Sequence, residues 1–152
     1  MSIAENADNF RLSSMFNVII DGITVGYVKS FDLPEIGLTV VTFGGAGAQY
    51  KTKVHGQLEI SQFTLKKAIP SETGDDSIIS RILNSVGKPP SEVKKDAMFV
   101  EKAYDGTYVQ QWTLHGAFYS KFKRDESDGD SSEITLETAT GECDWVSFEK
   151  LK

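Results

Sequence analysis

From Phe16 the chain alternates, with Phe16, Val18 and Ile20 on one parity and Asn17 and Ile19 on the other, and Asp21 and Gly22 follow at once. A period of two marks a strand, and Asp-Gly supplies the positive-φ pair that a two-residue hairpin turn needs. The pattern predicts a hairpin, residues 15–20 with 23–33, closed by Pro34, which has no N–H to donate to a ladder. Residues 38–43, rich in Val and Thr, predict another strand. Residues 44–50 hold three glycines and nothing able to anchor a core, so a flexible loop is expected there, within a long connection near 34–53. Leu58 and Ile60 share one parity while Phe63 and Leu65 share the other. A bulge at Ser61 and Gln62 would return all four to the core side.

The period then changes. Asp75 or Asp76 can cap a helix in which Ile78, Ile79, Ile82, Leu83 and Val86 recur every three or four residues, before the stop signals Gly87, Pro89 and Pro90. A helix near 76–86 is expected, its apolar stripe lying on a sheet or a neighbouring subunit. Strands return at 97–103 and 108–114 around an Asp105-Gly106 turn. Phe118 and Phe122 continue the β pattern, the polar stretch 125–132 interrupts it, and the runs around Leu136 and at Trp145 to Phe148 end it. Residues 1–14 are polar and aperiodic and read as an arm that orders only against something else. Residues 15–152 read as a single, mainly β domain.

Composition narrows the function. A chain of 152 residues with 39% hydrophobic residues supports one core. Its net charge of −6, with no dense run of Lys or Arg, argues against tight binding of duplex DNA. No apolar run approaches the ~20 residues of a bilayer span. The start lacks the basic and apolar regions of a signal peptide, so the chain is expected to be made and to stay in the cytoplasm.

Chemical motifs are tested and set aside. Gly44, Gly45 and Gly47 invite a phosphate-loop reading, but no Gly-Lys-Ser/Thr follows, the third glycine of a dinucleotide fingerprint is missing, and the next residues look extended. Asp125, Asp128, Asp130 and Glu133 fail calcium-loop spacing, because Gly129 would require acids at Arg124 and Thr135. His55 and His115 have no second ligand at metal spacing, and Cys143 has no disulfide partner. A nucleophile set from Cys143, Asp144 and a distant histidine fails because neighbours on a strand face opposite sides. Trp112 and Trp145 are expected in a core or interface. Neither catalysis, nor a cofactor, nor a metal is expected.

Four segments together resemble the tail tube proteins of contractile phages, a family that includes the inner tubes of type VI secretion and other contractile injection systems. They are the hairpin 16–27 leading to Ser30, Phe31, Asp32 and Leu33; Val41, Thr42, Phe43, Gly44 and Gly45; Phe63, Thr64, Leu65, Lys66 and Lys67; and 112–117 followed by 133–137. Where the family usually reads Leu-Lys-Arg-Gly, this chain has Leu65, Lys66, Lys67 and Ala68. The resemblance implies an antiparallel β-sandwich or barrel with one short flanking helix. Six copies would form a ring, and the rings would stack into a tube. It implies sheath, baseplate and tape-measure proteins as partners, a place in a virion tail assembled in the host cytoplasm, and DNA passing through the lumen without tight binding. The loop residues Gly44, Gly45, Ala46, Gly47, Gln49, Tyr50 and Lys51 would contact a neighbouring subunit or the next ring. Glu133 and Glu137, on one face of a strand whose other face carries Ile134 and Leu136, are candidates for the lumen or surface. The competing reading is a small-molecule or flavin-type β-barrel, which needs a pocket with convergent polar groups.

Overall fold

The computed structural model describes residues 15–47, 49–69, 78–103, 105–126, 129–130 and 133–151. The expected arm at 1–14 and the caps at Asp75 and Asp76 lie outside them. Among the described residues, ten strands and two short helices run in the order β1 (Phe16–Ile20), β2 (Ile23–Thr24), β3 (Val28–Asp32), β4 (Ile36–Phe43), β5 (Thr52–Ile60), β6 (Phe63–Ala68), α1 (Ile78–Asn84), α2 (Pro90–Val93), β7 (Lys95–Lys102), β8 (Tyr108–Arg124), β9 (Leu136–Glu142) and β10 (Trp145–Lys150). The expectation of a mainly β, antiparallel fold with a short flanking helix matches this architecture.

Eight strands form one antiparallel sheet in the order β2-β1-β7-β8-β9-β6-β3, with β10 added on β8. The seventeen-residue β8 joins its two halves: the first part pairs with β7 and β10, the last part with β9. The change of partners falls near Gly116, whose φ of +67° belongs to the left-handed region. A Cβ there would also stand 2.3 Å from the Asp144 carboxylate, so the corner needs glycine twice over.

Between the halves lies the core, where Val18, Phe63, Leu65, Leu114 and Ala139 are at most 1% exposed. Phe31 from β3 stacks on Phe99 from β7 at 5.4 Å, Phe99 on Phe16 at 5.2 Å, and Phe63 sits 5.8 Å from Phe31. This row of rings ties one half of the sheet to the other.

Local signals in the sequence account for several turns. Asp21 and Gly22 both have positive φ, as the hairpin turn requires. Gly87, at φ +80°, follows the turn that ends α1, while Pro89 and Pro90 do not merely stop a helix: they begin α2. Two expectations are corrected. The first hairpin has a two-residue second strand, and β3 crosses to pair with β6, leaving β2 at the sheet edge. The parity slip at Ser61 and Gln62 is no bulge that keeps four residues in the core. It is a boundary between sheets, with Phe63 and Leu65 buried on β6 and Leu58 exposed on β5.

Candidate assembly surface

In the stretch 34–53, expected as a long connection around a strand at 38–43, that strand extends over Ile36–Phe43 and a second begins at Thr52. β4 and β5 form a separate two-stranded antiparallel arm, and among the described elements they make extensive contact only with each other. At ~3.4 Å per residue, the eight residues of β4 extend about 27 Å. The arm is stitched at its base, where the Glu35 N–H donates to Ser61 Oγ at 2.7 Å and the Ser61 N–H donates to the Glu35 carbonyl at 3.0 Å. Midway, the register shifts between Leu38 and Val40. The Gln57 N–H donates to Thr39 Oγ1 at 2.8 Å, and a Cβ on Gly56 would come 2.2 Å from that hydroxyl oxygen. Gly56 is therefore required for the bulge.

The arm's side chains do not behave as those of a free surface ribbon. Ile36, Leu38, Val40, Val41, Phe43, Val54 and Leu58 are between 45% and 73% exposed. Cross-strand pairing sets Leu38 opposite Leu58 and Ile36 opposite Ile60 near the base, and Val41 opposite Val54 near the tip. An isolated two-stranded ribbon is marginal in water, its outer edges offer unpaired N–H and C=O groups, and an apolar patch of this size marks a contact surface.

Among the residues singled out from the sequence, Gly44, Gly45, Ala46, Gly47, Gln49, Tyr50 and Lys51 lie together in the connection at the arm's tip, with Gly47 at φ +83° and Tyr50 84% exposed. Glu133 and Glu137 are not brought together on one exposed face. Glu133 precedes β9 and is exposed, whereas Glu137 is only 7% exposed and pairs with Lys67 at 3.4 Å. The reason is the sheet's parity: Glu137 shares a face with Ala139 and lies across from Lys67 on β6, so it points inward. Glu137 is thus buried within the subunit rather than on its surface, and Ile134, expected on the covered side, is 75% exposed.

Burial is the largest influence on the Tyr119 phenol and pushes it above its ordinary value; Arg81 lowers it and Glu137 raises it. The neutral phenol stabilises the fold fully below about pH 10, the ordinary tyrosine value. That contribution is lost as pH rises, because the unfolded chain ionises first. The thermal midpoint of the native protein should therefore fall more steeply above that pH than that of Tyr119→Phe, by at most about 1.4 kcal/mol of stability per pH unit. Parallel melting curves across this range would refute the assignment.

Among the described residues, Cys143, Asp144 and His115 are not arranged as a nucleophile–base set. Cys143 and Asp144 lie in the turn between β9 and β10 rather than on a strand. Burial, then the Asp144 and Glu142 carboxylates, push the Cys143 thiol up, the reverse of what a nucleophile needs. His115 Nε2 is 2.8 Å from Ser147 Oγ, and the ring stacks on Trp145 at 3.8 Å. The Asp96 carboxylate is 3.7 Å from Nδ1 and its side chain 62% exposed, too distant and too hydrated to orient a general base. Beneath α1, a small cavity of about 50 Å³ is lined by Ile20, Phe63, Ile82, Ala97 and Ala117 with the polar Arg81, Ser85, Lys95 and Tyr119.

α1 covers the sheet with Ile78 and the half-buried Ile82, while Leu83 and Val86 remain 64% and 78% exposed. On β10, Trp145 and Phe148 are also both more than half exposed.

No family model matches the chain, and no curated protein matches its sequence. Solved structures do. A chain of the sheath–tube complex of an extracellular contractile injection system, PVC, in the extended state superposes with a TM-score of 0.80 at 20% identity, covering 99% of both chains. A chain of the anti-feeding prophage cap, which terminates the AFP tube, gives 0.80 at 20% identity over 93% of this chain and 91% of that one. Hcp1 from Salmonella typhimurium gives 0.58 at 14% identity, over 90% and 85%. The chain has the fold shared by these components.

Proposed function

We propose that this protein is a non-enzymatic structural subunit that polymerises, as stacked hexameric rings, into the inner tube of a contractile injection or tail machine. The observation that carries the reading is the β4–β5 arm: seven large apolar side chains exposed on a ribbon that, among the described residues, no other element packs against extensively. A second copy of the chain is the natural cover, since closing strands around a ring removes exposed edges and stacking buries the arm. The likeness to PVC and anti-feeding prophage components supports an extracellular injection system as the setting, with a sheath, a terminator and a baseplate as partners. In the phage form of the same reading, the tube belongs to a virion tail, surrounds a tape-measure protein and conducts DNA.

The tip connection is the assembly element to test. Replacing residues 46–50 by a short Gly-Ser link should leave the circular dichroism spectrum of the subunit unchanged and abolish tube growth. Normal tubes from the shortened protein would remove the tip from the assembly surface, and unfolding would place it in the folding unit instead.

A further inference from the structure

Two spaces adjoin at α1. The cavity of about 50 Å³ has Phe63, Ile82, Ala97 and Ala117 in its wall, and a cleft of about 150 Å³ is lined by Thr24, Val25, Gly26, Lys67 and Ile78. Ile20, Arg81 and Tyr119 line both, so a recess with mainly apolar walls and a polar cleft meet at these three residues.

The polar groups at the junction are hydrogen-bond donors. Burial keeps the Tyr119 phenol protonated. Its hydroxyl has no hydrogen-bond partner among the described residues, and no fully buried polar side-chain atom among them lacks one, so the hydroxyl opens on the cleft. Arg81 stands 3.8 Å from the Asp21 carboxylate, beyond hydrogen-bond reach, and its guanidinium keeps donors to give. Asp21 is exposed to water and so competes weakly for it. The charge of Lys67 is taken up by the buried Glu137 at 3.4 Å, which leaves Arg81 as the cation available to an anion.

We propose that this junction binds a small branched aliphatic carboxylate, with its carboxylate on Arg81 and Tyr119 and its alkyl group in the recess beneath α1. The planar guanidinium offers paired N–H donors that match the two oxygens of a carboxylate, and the phenol adds a donor beside them. At ~10–15 Å³ for each water-sized group, the recess takes about three to five carbon atoms. Its buried walls, Phe63, Ala97 and Ala117, reward an alkyl group and penalise a polar one. A free short-chain acid and the C-terminal residue of a peptide ending in leucine both present this chemistry. The site lies on the sheet and α1 rather than on the arm, and it does not depend on the tube reading.

Equilibrium dialysis of radiolabelled isovalerate against the native full chain tests the site, and it reads binding whether or not the chain is assembled. Saturable uptake is expected. Isovaleramide, the uncharged counterpart, and acetate, which lacks the branched group, should each compete at least about tenfold less well than unlabelled isovalerate. Arg81→Gln should weaken uptake by about tenfold or more and Tyr119→Phe by about threefold, with circular dichroism checking that both variants are folded. Unlabelled peptides ending in leucine then separate the two sources. Competition by the free C-terminus and not by its amide supports the site as a receptor for a peptide terminus, and failure of both to compete, with isovalerate still bound, supports it as a site for a free acid. No saturable uptake by the native chain, equal competition by isovaleramide, or native-level uptake by folded Arg81→Gln would overturn the proposal.

Discussion

Gly141→Val should cost about 3 kcal/mol or more, a large part of the ~5–15 kcal/mol that holds a domain of this kind together. A Cβ at this position on β9 would stand 2.2 Å from Phe63 Cζ and 2.6 Å from the Phe118 carbonyl oxygen. Neither neighbour can retreat. Phe63 is 1% exposed and wedged between Phe31 and Tyr119, and the Phe118 carbonyl belongs to the backbone of β8. A side chain here must therefore displace a ring or a strand. Gly26→Ala is the matched control: nothing lies within 4 Å of its Cβ and its φ is not positive, so its effect should stay within about 0.5 kcal/mol. The urea midpoints of the two variants decide the matter. Equal midpoints would show that the row of rings is not the packed centre described above.

Replacing three apolar side chains of the arm should have the opposite profile, with little effect on the subunit and a severe one on assembly. In Leu38→Ser, Val40→Thr and Phe43→Ser combined, each side chain lost is more than half exposed, so each costs the isolated fold less than about 0.5 kcal/mol. If these side chains are buried between copies, each contributes about 1.5–3 kcal/mol to association. Losing roughly 5 kcal/mol in sum weakens association by about a thousandfold or more. Sedimentation velocity at matched concentration should show the native protein as large polymer and the variant as a folded small species. A variant that assembles as readily as the native chain would make the arm a surface ornament.

Much of the fold was legible because its local signals are strong. Asp21-Gly22 and Asp105-Gly106 mark turns by backbone conformation alone, and the three-and-four spacing from Ile78 to Val86 marks α1 regardless of tertiary context. What the sequence concealed depends on pairing over long distances. Nothing local says that β3 leaves its hairpin for β6, or that β8 is shared between two halves of a sheet. The glycines at 116 and 141 look like any others until Asp144 and Phe63 are placed against them.

On the arm, the connection at the tip is marked by its glycines and β4 by its Val and Thr, but Leu58 and Ile60 on β5 read as core. Leu58 and Ile60 are as apolar as Phe63 and Leu65, and periodicity does not distinguish a face covered within the chain from one covered by another copy. The parity break at Ser61 was the available signal. Glu137 was misplaced for a related reason: alternation showed that it opposes Leu136, but not which of the two faces is buried.

Negative-stain electron microscopy of the purified native protein over a wide range of concentration and salt tests self-assembly most directly. Rings and stacked tubes with six-fold end views, accumulating as concentration rises and absent from the arm variant, are the result expected. A particle that remains a monomer at every concentration and salt, its arm soluble without a neighbour, would contradict the account.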